Sequence, residues 1–204
     1  MLRSLDKQFS PKKAAQLKLL SNRLRKFSFP PGASRYYALE LASCIEAGAL
    51  LGALVVGSSL LELYVRALVV SHASRVRRST VPEKKSLEGM LEENKHLRFE
   101  GLIDSLVSVG LFQKVDGKRA KDIYKRIRIP LLHGLPRRFV RQHQESFVEE
   151  FSLMLGGAVI SSSELESIIE DYALAYLRNI IGIIERNHFP GLLSLTLRNE
   201  QNPH

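Results

Sequence analysis

The sequence predicts an all-α fold, a helical bundle of five or more helices, and three observations carry that prediction. Apolar residues recur at spacings of three and four through most of the chain. In SSSELESIIEDYALAYLRNIIGIIERN, Leu165, Ile168, Ile169, Tyr172, Tyr176, Ile180 and Ile183 fall on one stripe, behind Ser163 and Glu166 spaced as a capping box. Strand-like alternation is confined to Leu193, Leu195 and Leu197, in a tail (191–204) expected to pack loosely. At 204 residues and 45% hydrophobic content the chain suits one domain with a proper core.

Taken in order, residues 1–29 hold eight Lys or Arg against Asp6 alone. Leu17, Leu20, Leu24 and Phe27 give them the pattern of an amphipathic basic helix starting near Ser10-Pro11. Its outer face reads as a solvated surface, a polyanion-binding arm or a targeting segment. FSFPPGAS (27–34) then separates this arm (1–30) from the main domain (34–190). From Tyr36 to Ala73 the chain is helix-compatible, with Glu40, Glu46, Glu62 and Arg66 as its formal charges and Gly48 at the corner between two long antiparallel helices. Glu62 and Arg66 have the spacing of an ion pair.

SRVRRSTVPEKK (74–85) reads as a polar, basic loop, and LEGMLEEN (87–94) and FEGLIDSLVSVGLF (99–112) as helices, the second ending at Gly110. KVDGKR is a turn in which Asp116 caps a helix running from about Gly117 to His133. Residues 146–155 suit a short helix ended by Gly156-Gly157.

Thirty Lys and Arg against 21 Asp and Glu give a net charge of +9, which favours a polyanionic partner. The single cysteine, Cys44, excludes a disulfide framework or a cysteine zinc site and suits a reducing compartment. The N-terminus shows no secretory h-region, and the longest uncharged run, Ala47–Leu61, is shorter than the roughly 18 residues of a membrane span. A cytoplasmic protein without membrane association is therefore expected, with GALLG (Gly48, Gly52) serving close helix packing. His72, His96, His143 and His188 lack metal-site spacing, and no phosphate-loop, nucleophile-elbow or dinucleotide motif is present, so neither a metal nor a cofactor is expected.

The chemistry-bearing stretch is the one around RIRIPLLHGLPRRFVR. Lys118, Arg119, Lys121, Lys125, Arg126, Arg128, Arg137, Arg138 and Arg141 surround a single acid, Asp122, a field that would hold phosphates of any sequence. Arg75, Arg77 and Arg78 would extend it if the fold brings them near. Ala120, Ile123, Ile127 and Leu131 face the core, leaving Arg126 on one flank and Arg128 on the other. In a straight helix His133 shares the flank of Arg126, but Pro130 should kink or end the helix and push Ile129 out of the α region, which leaves the partner of His133 open. His133 is either a cation at a helix end, capped by Gly134, or a general acid–base beside an arginine that stabilises a phosphoryl transition state.

The order ALELASCIEAG, LLGALVVGSSLLELYVRAL, LEGMLEE, LIDSLVSVGLF and KDIYKRIRIPLLHG, from Tyr36 to Leu135, resembles the HEPN superfamily of small helical nucleotide- and RNA-associated domains. Members often carry R-x(4 to 6)-H at the end of the fourth helix. Arg128 to His133 matches the shortest form and Arg126 to His133 the longest. The resemblance implies an up-and-down helical core, RNA as partner, a homodimer, and metal-independent RNA cleavage at a composite site where His acts as acid–base and Arg binds the scissile phosphate. The polar residue that usually follows the family's arginine is replaced here by Ile127 or Ile129. That departure leaves as the alternative a noncatalytic interaction domain, regulatory or partner-binding in a toxin–antitoxin or defence context.

Overall fold

The computed structural model describes residues 5–29, 33–77, 98–133 and 162–188. All regular elements among them are helical: α1 (Leu5–Gln8), α2 (Pro11–Lys26), α3 (Ala33–Glu46), α4 (Leu50–Arg77), α5 (Phe99–Ser108), α6 (Lys114–Ile123), a π-helical turn (Tyr124–Arg128), α7 (Ile129–Leu132) and α8 (Ser162–Arg186). The expectation of an all-α bundle thus holds for the described residues. The expected helices at 87–94 and 146–155, the Gly134 cap and the tail lie outside them.

Helix α4 is the hub, packed against α3, α5, the π turn and α8, while α2 closes over α3 and α8. It extends to Arg77, so residues 74–77, expected to open a loop, continue the helix. By length and composition Leu50–Ser74 could cross a membrane, yet 56% of its most apolar window is buried inside the bundle.

The basic helix α2 starts where expected, with Pro11 in its first turn and the Ser10 hydroxyl accepting from the Lys13 N–H at 3.4 Å. Ala14, Leu17, Leu20 and Leu24 join the same buried cluster as α3, α4 and α8, so this segment is a member of the bundle rather than an arm beside it. Much of its charge is engaged at once: Lys18 pairs with Asp6 (2.7 Å), Arg25 with Glu46 (2.6 Å) and Arg23 with Glu185, whose Oε1 lies 3.0 Å from its Nε.

Two glycines end helices in the same way. Gly48 (φ 72°) closes α3 with Gly48 N–H to Ile45 O (3.0 Å) and Ala49 N–H to Cys44 O (2.9 Å). Gly110 (φ 72°) closes α5 with Gly110 N–H to Val107 O (3.1 Å) and Leu111 N–H to Leu106 O (3.0 Å). Both pairs are the two crossed bonds of a Schellman ending, which needs a left-handed residue. Gly48 therefore makes a turn rather than a helix crossing. Its lack of a Cβ also admits the N-terminal residues, since a Cβ on Gly48 would run into the Gln8 side chain and sit 3.2 Å from Phe9 Cε2. Between helices, a Cβ on Gly57 would sit 3.3 Å from Ile180 Cδ1, and one on Gly117 3.0 Å from Val107 Cγ2 and 3.1 Å from Ile103 Cγ2.

Asp116 does not cap α6. The helix begins at Lys114 with Gln113 at the N-cap, and Asp116 lies inside the first turn, 1% exposed. Its carboxylate accepts from Arg186 Nε (3.0 Å) and Nη2 (2.6 Å) and from Asn187 Nδ2 (2.9 Å). Asn187 in turn accepts the Gln113 N–H (2.9 Å), and its carbonyl accepts the Tyr64 hydroxyl (3.1 Å). The orphan donor at the start of α6 is thus satisfied from α8 instead of from its own cap.

The stripe on α8 also needs correction. Ile168, Ile169, Ile180 and Ile183 are buried, but Tyr172 is 40% exposed and Tyr176 half-buried, while Ala173, Leu177, Ile181 and Ile184 complete the core face. Five consecutive buried residues, Ile180 to Ile184, show that the end of this helix is enclosed, which a one-sided stripe does not describe. Helix α8 already includes Ser162, before the serine of the expected capping box, whose side chain lies outside the described residues.

Candidate functional site

The stripe Ala120, Ile123 and Ile127 is buried and Leu131 partly so, as expected. Pro130 acts differently from the prediction. Ile129 stays in the α region (φ −59°, ψ −53°), and the chain remains helical to Leu132 because the preceding turn widens, with the Ile129 N–H bonding to Tyr124 O, five residues back. That extra residue relieves the clash the proline ring would make with the carbonyl four residues earlier. Ring stacking of Tyr124 on Phe99, with centroids 4.7 Å apart, holds the widened turn against α5.

The wide turn sends the two competing arginines to different helices. Arg128 reaches α4, where Nη1 donates to Ser59 Oγ (2.8 Å) and the guanidinium pairs with Glu62. Glu62 Oε1 also accepts from Arg66 Nε (3.1 Å) and Nη2 (2.9 Å), so the expected Glu62–Arg66 pair forms and gains a second guanidinium. One carboxylate, 13% exposed, thus lies between two cations, and the cluster carries a net positive charge. Arg126 pairs with Asp122 (2.9 Å) and hydrogen-bonds the Tyr176 hydroxyl on α8. Burial pushes the Tyr176 phenol up, which keeps it protonated.

His133 ends α7. Its backbone N–H bonds to Ile129 O (3.1 Å), its side chain is exposed, and Leu132 beside it is 45% exposed. Among the described residues no hydrogen bond or ion pair joins its imidazole to Arg126 or Arg128.

Most of the expected phosphate field is internally compensated. Lys121 pairs with Asp104, Lys125 with Glu100 (2.9 Å) and Arg119 with Asp116 (3.8 Å). Counting Asp122 as the single acid was a one-dimensional view, because α4 and α5 supply Glu62, Glu100 and Asp104 across the helix interface. Among the described residues Lys118 has no carboxylate partner. Arg137, Arg138 and Arg141 lie outside the described residues, as do the side chains of Arg75, Arg77 and Arg78. No group of three or more His, Cys, Asp or Glu suited to a metal occurs among the described residues. His188 packs edge-on against Phe27, with ring centroids 5.0 Å apart.

Comparison of the chain with protein-family models, with characterised proteins and with solved structures gives no match.

Proposed function

We propose that this protein is a HEPN-like helical domain that binds RNA as a homodimer and cleaves it without a metal, at a composite site built from His133, Arg128 and Arg126 of two copies. The observation that carries the reading is the end of the π turn and α7, where an exposed histidine closes the helix that also presents both arginines. An exposed imidazole at a helix end is open to a substrate and has the chemistry of a general acid–base. In the proposed reaction His133 takes the proton of a ribose 2′-hydroxyl, whose oxygen then attacks the adjacent phosphorus. The P–O5′ bond breaks as the cyclic phosphate forms, and the 5′-oxygen leaves with a proton returned by an acid. Arg128 or Arg126 holds the non-bridging oxygens as negative charge grows on them.

Cleavage of a mixed-sequence RNA by the purified protein tests this. Loss of at least about a hundredfold in rate in His133→Ala is expected, matching the usual contribution of general acid–base groups. Equal rates in wild type and variant, or no cleavage by either, overturn the enzymatic reading.

One observation favours a second reading. Arg128 is held by Glu62 and Ser59, and most neighbouring cations are already paired, as suits a noncatalytic interaction module of a toxin–antitoxin or defence system with a protein regulator as partner. RNA or partner binding that survives His133→Ala, without cleavage, supports it.

A further inference from the structure

The cations best placed to meet an anion lie outside the stretch that the sequence picks out. Where α2 ends and α3 begins, Arg25, Lys26 and Arg35 line a cavity of about 300 Å3, at the lower end of ligand-pocket sizes. No carboxylate is among its described lining residues. Arg25 is matched one to one by Glu46, but Lys26 and Arg35 are exposed and have no carboxylate partner among the described residues. Two charges uncompensated among the described residues, beside a concave surface, attract an anion more strongly than the paired cations of α6 and the π turn do.

An exposed aromatic residue follows Arg35 directly. Tyr36 is 62% exposed, and Leu39, three residues on along the same helical face, lines the cavity and is 42% exposed. The Tyr36 and Tyr37 rings meet edge to face, with centroids 6.0 Å apart, and Tyr36 still keeps most of its surface exposed. Two cations without a carboxylate partner among the described residues, next to an exposed aromatic ring, are the parts of a single-strand nucleic-acid platform: the charges track the phosphates, and the ring accepts a base of any sequence.

We infer that the α2–α3 corner is a second RNA contact, in which Lys26 and Arg35 hold backbone phosphates of a single strand and Tyr36 stacks on an adjoining base. The inference rests on the RNA-binding reading and assigns part of that binding to residues remote in sequence from His133. It gives the basic second helix a role that does not require a separate arm.

Binding of a labelled 2′-O-methyl oligouridylate, which cannot be cleaved through its 2′-oxygen, to the full chain at a series of salt concentrations tests the inference. The double substitution Lys26→Gln with Arg35→Gln is expected to weaken binding on the order of tenfold and to flatten the salt dependence by about 1.4 in slope, the loss of two single-strand phosphate contacts. Tyr36→Ala should cost about fivefold or more, whereas Tyr36→Phe keeps the ring and should bind like wild type. All three side chains are exposed, so an unchanged helical spectrum and melting midpoint are expected in each variant. Wild-type binding that is unaltered in affinity and slope by the double substitution overturns this inference and leaves the RNA reading standing. A wild-type chain that fails to bind the oligonucleotide overturns both.

Discussion

Two carboxylates in this bundle each sit between arginines, and their surroundings give them different work. Asp116, 1% exposed, ties the start of α6 to the end of α8 through Arg186 and Asn187, partners about 70 positions away in the chain. Glu62, 13% exposed, joins Arg66 on its own helix to Arg128 on the π turn. In the first cluster a second donor, the Asn187 amide, completes the bonding of a buried charge and removes the cost of its isolation. Both carboxylates face two guanidinium groups, Arg119 being the second at Asp116 (3.8 Å), but Glu62 lies closer to solvent at 13% exposure. Deep burial with an added amide donor marks a structural lock, and surplus charge beside a partly exposed carboxylate marks a group able to meet a ligand.

The sharpest way to break this comparison is Asp116→Ala. It removes the acceptor of two elements at once and leaves the Asn187 amide and the Arg186 guanidinium to find other partners. A loss of about 3 kcal/mol in urea unfolding is expected, the range for breaking a buried pair, reduced here because Arg186 can still reach water. A loss below about 1 kcal/mol would make Asp116 no more structural than a surface carboxylate.

A smaller effect is expected at the other carboxylate. Glu62→Gln keeps the shape of the side chain and costs about 1 kcal/mol, as a partly exposed charged hydrogen bond does. It also releases Arg128 from its competing anion, so RNA affinity should rise by about threefold at low salt. A fall in affinity with intact folding would show that Glu62 orients Arg128 for the phosphate rather than competing with it.

What the sequence made legible follows a physical division. Local periodicity located α2, the α3–α4 hairpin, α5 and the buried stripe on α6, because each depends on spacings within a few residues. The two Schellman glycines were readable for the same reason. The role of Asp116 was not, since its partners lie on α8 and no spacing links them. Pro130 was misread as a helix breaker because the remedy, one extra residue in the preceding turn, depends on Tyr124 packing against Phe99 of another helix. The charge field was overestimated by the same blindness: Asp104 and Glu100 are far from Lys121 and Lys125 in sequence and adjacent in space. His133 was correctly placed at a helix end, but Arg128 is engaged by Glu62 and Ser59 on α4, a tertiary contact that no local spacing reveals.

The smallest expected effect concerns a third carboxylate, which extends the comparison to the solvent side. Glu46 receives Arg25 (2.6 and 2.8 Å) and the Ser21 hydroxyl, and these bonds hold its carboxyl down to about 2, from an ordinary value near 4.5. The folded value lies below the unfolded one, so this contribution to stability is present above about pH 4.5 and is lost as pH falls toward about 2. Asp116 shifts in the same direction: burial alone would raise it, but Arg186 and Asn187 outweigh burial. Because Glu46 is 44% exposed, solvent screening makes its share the lesser of the two. Urea midpoints measured from neutral pH down through this window should therefore fall in wild type, fall slightly less in Glu46→Gln, and fall least in Asp116→Asn, which also starts from the lowest stability. If Glu46→Gln flattens the acid limb more than Asp116→Asn does, burial is not what separates the lock from the surface pairs, and geometry of the Arg25 bonds must take its place.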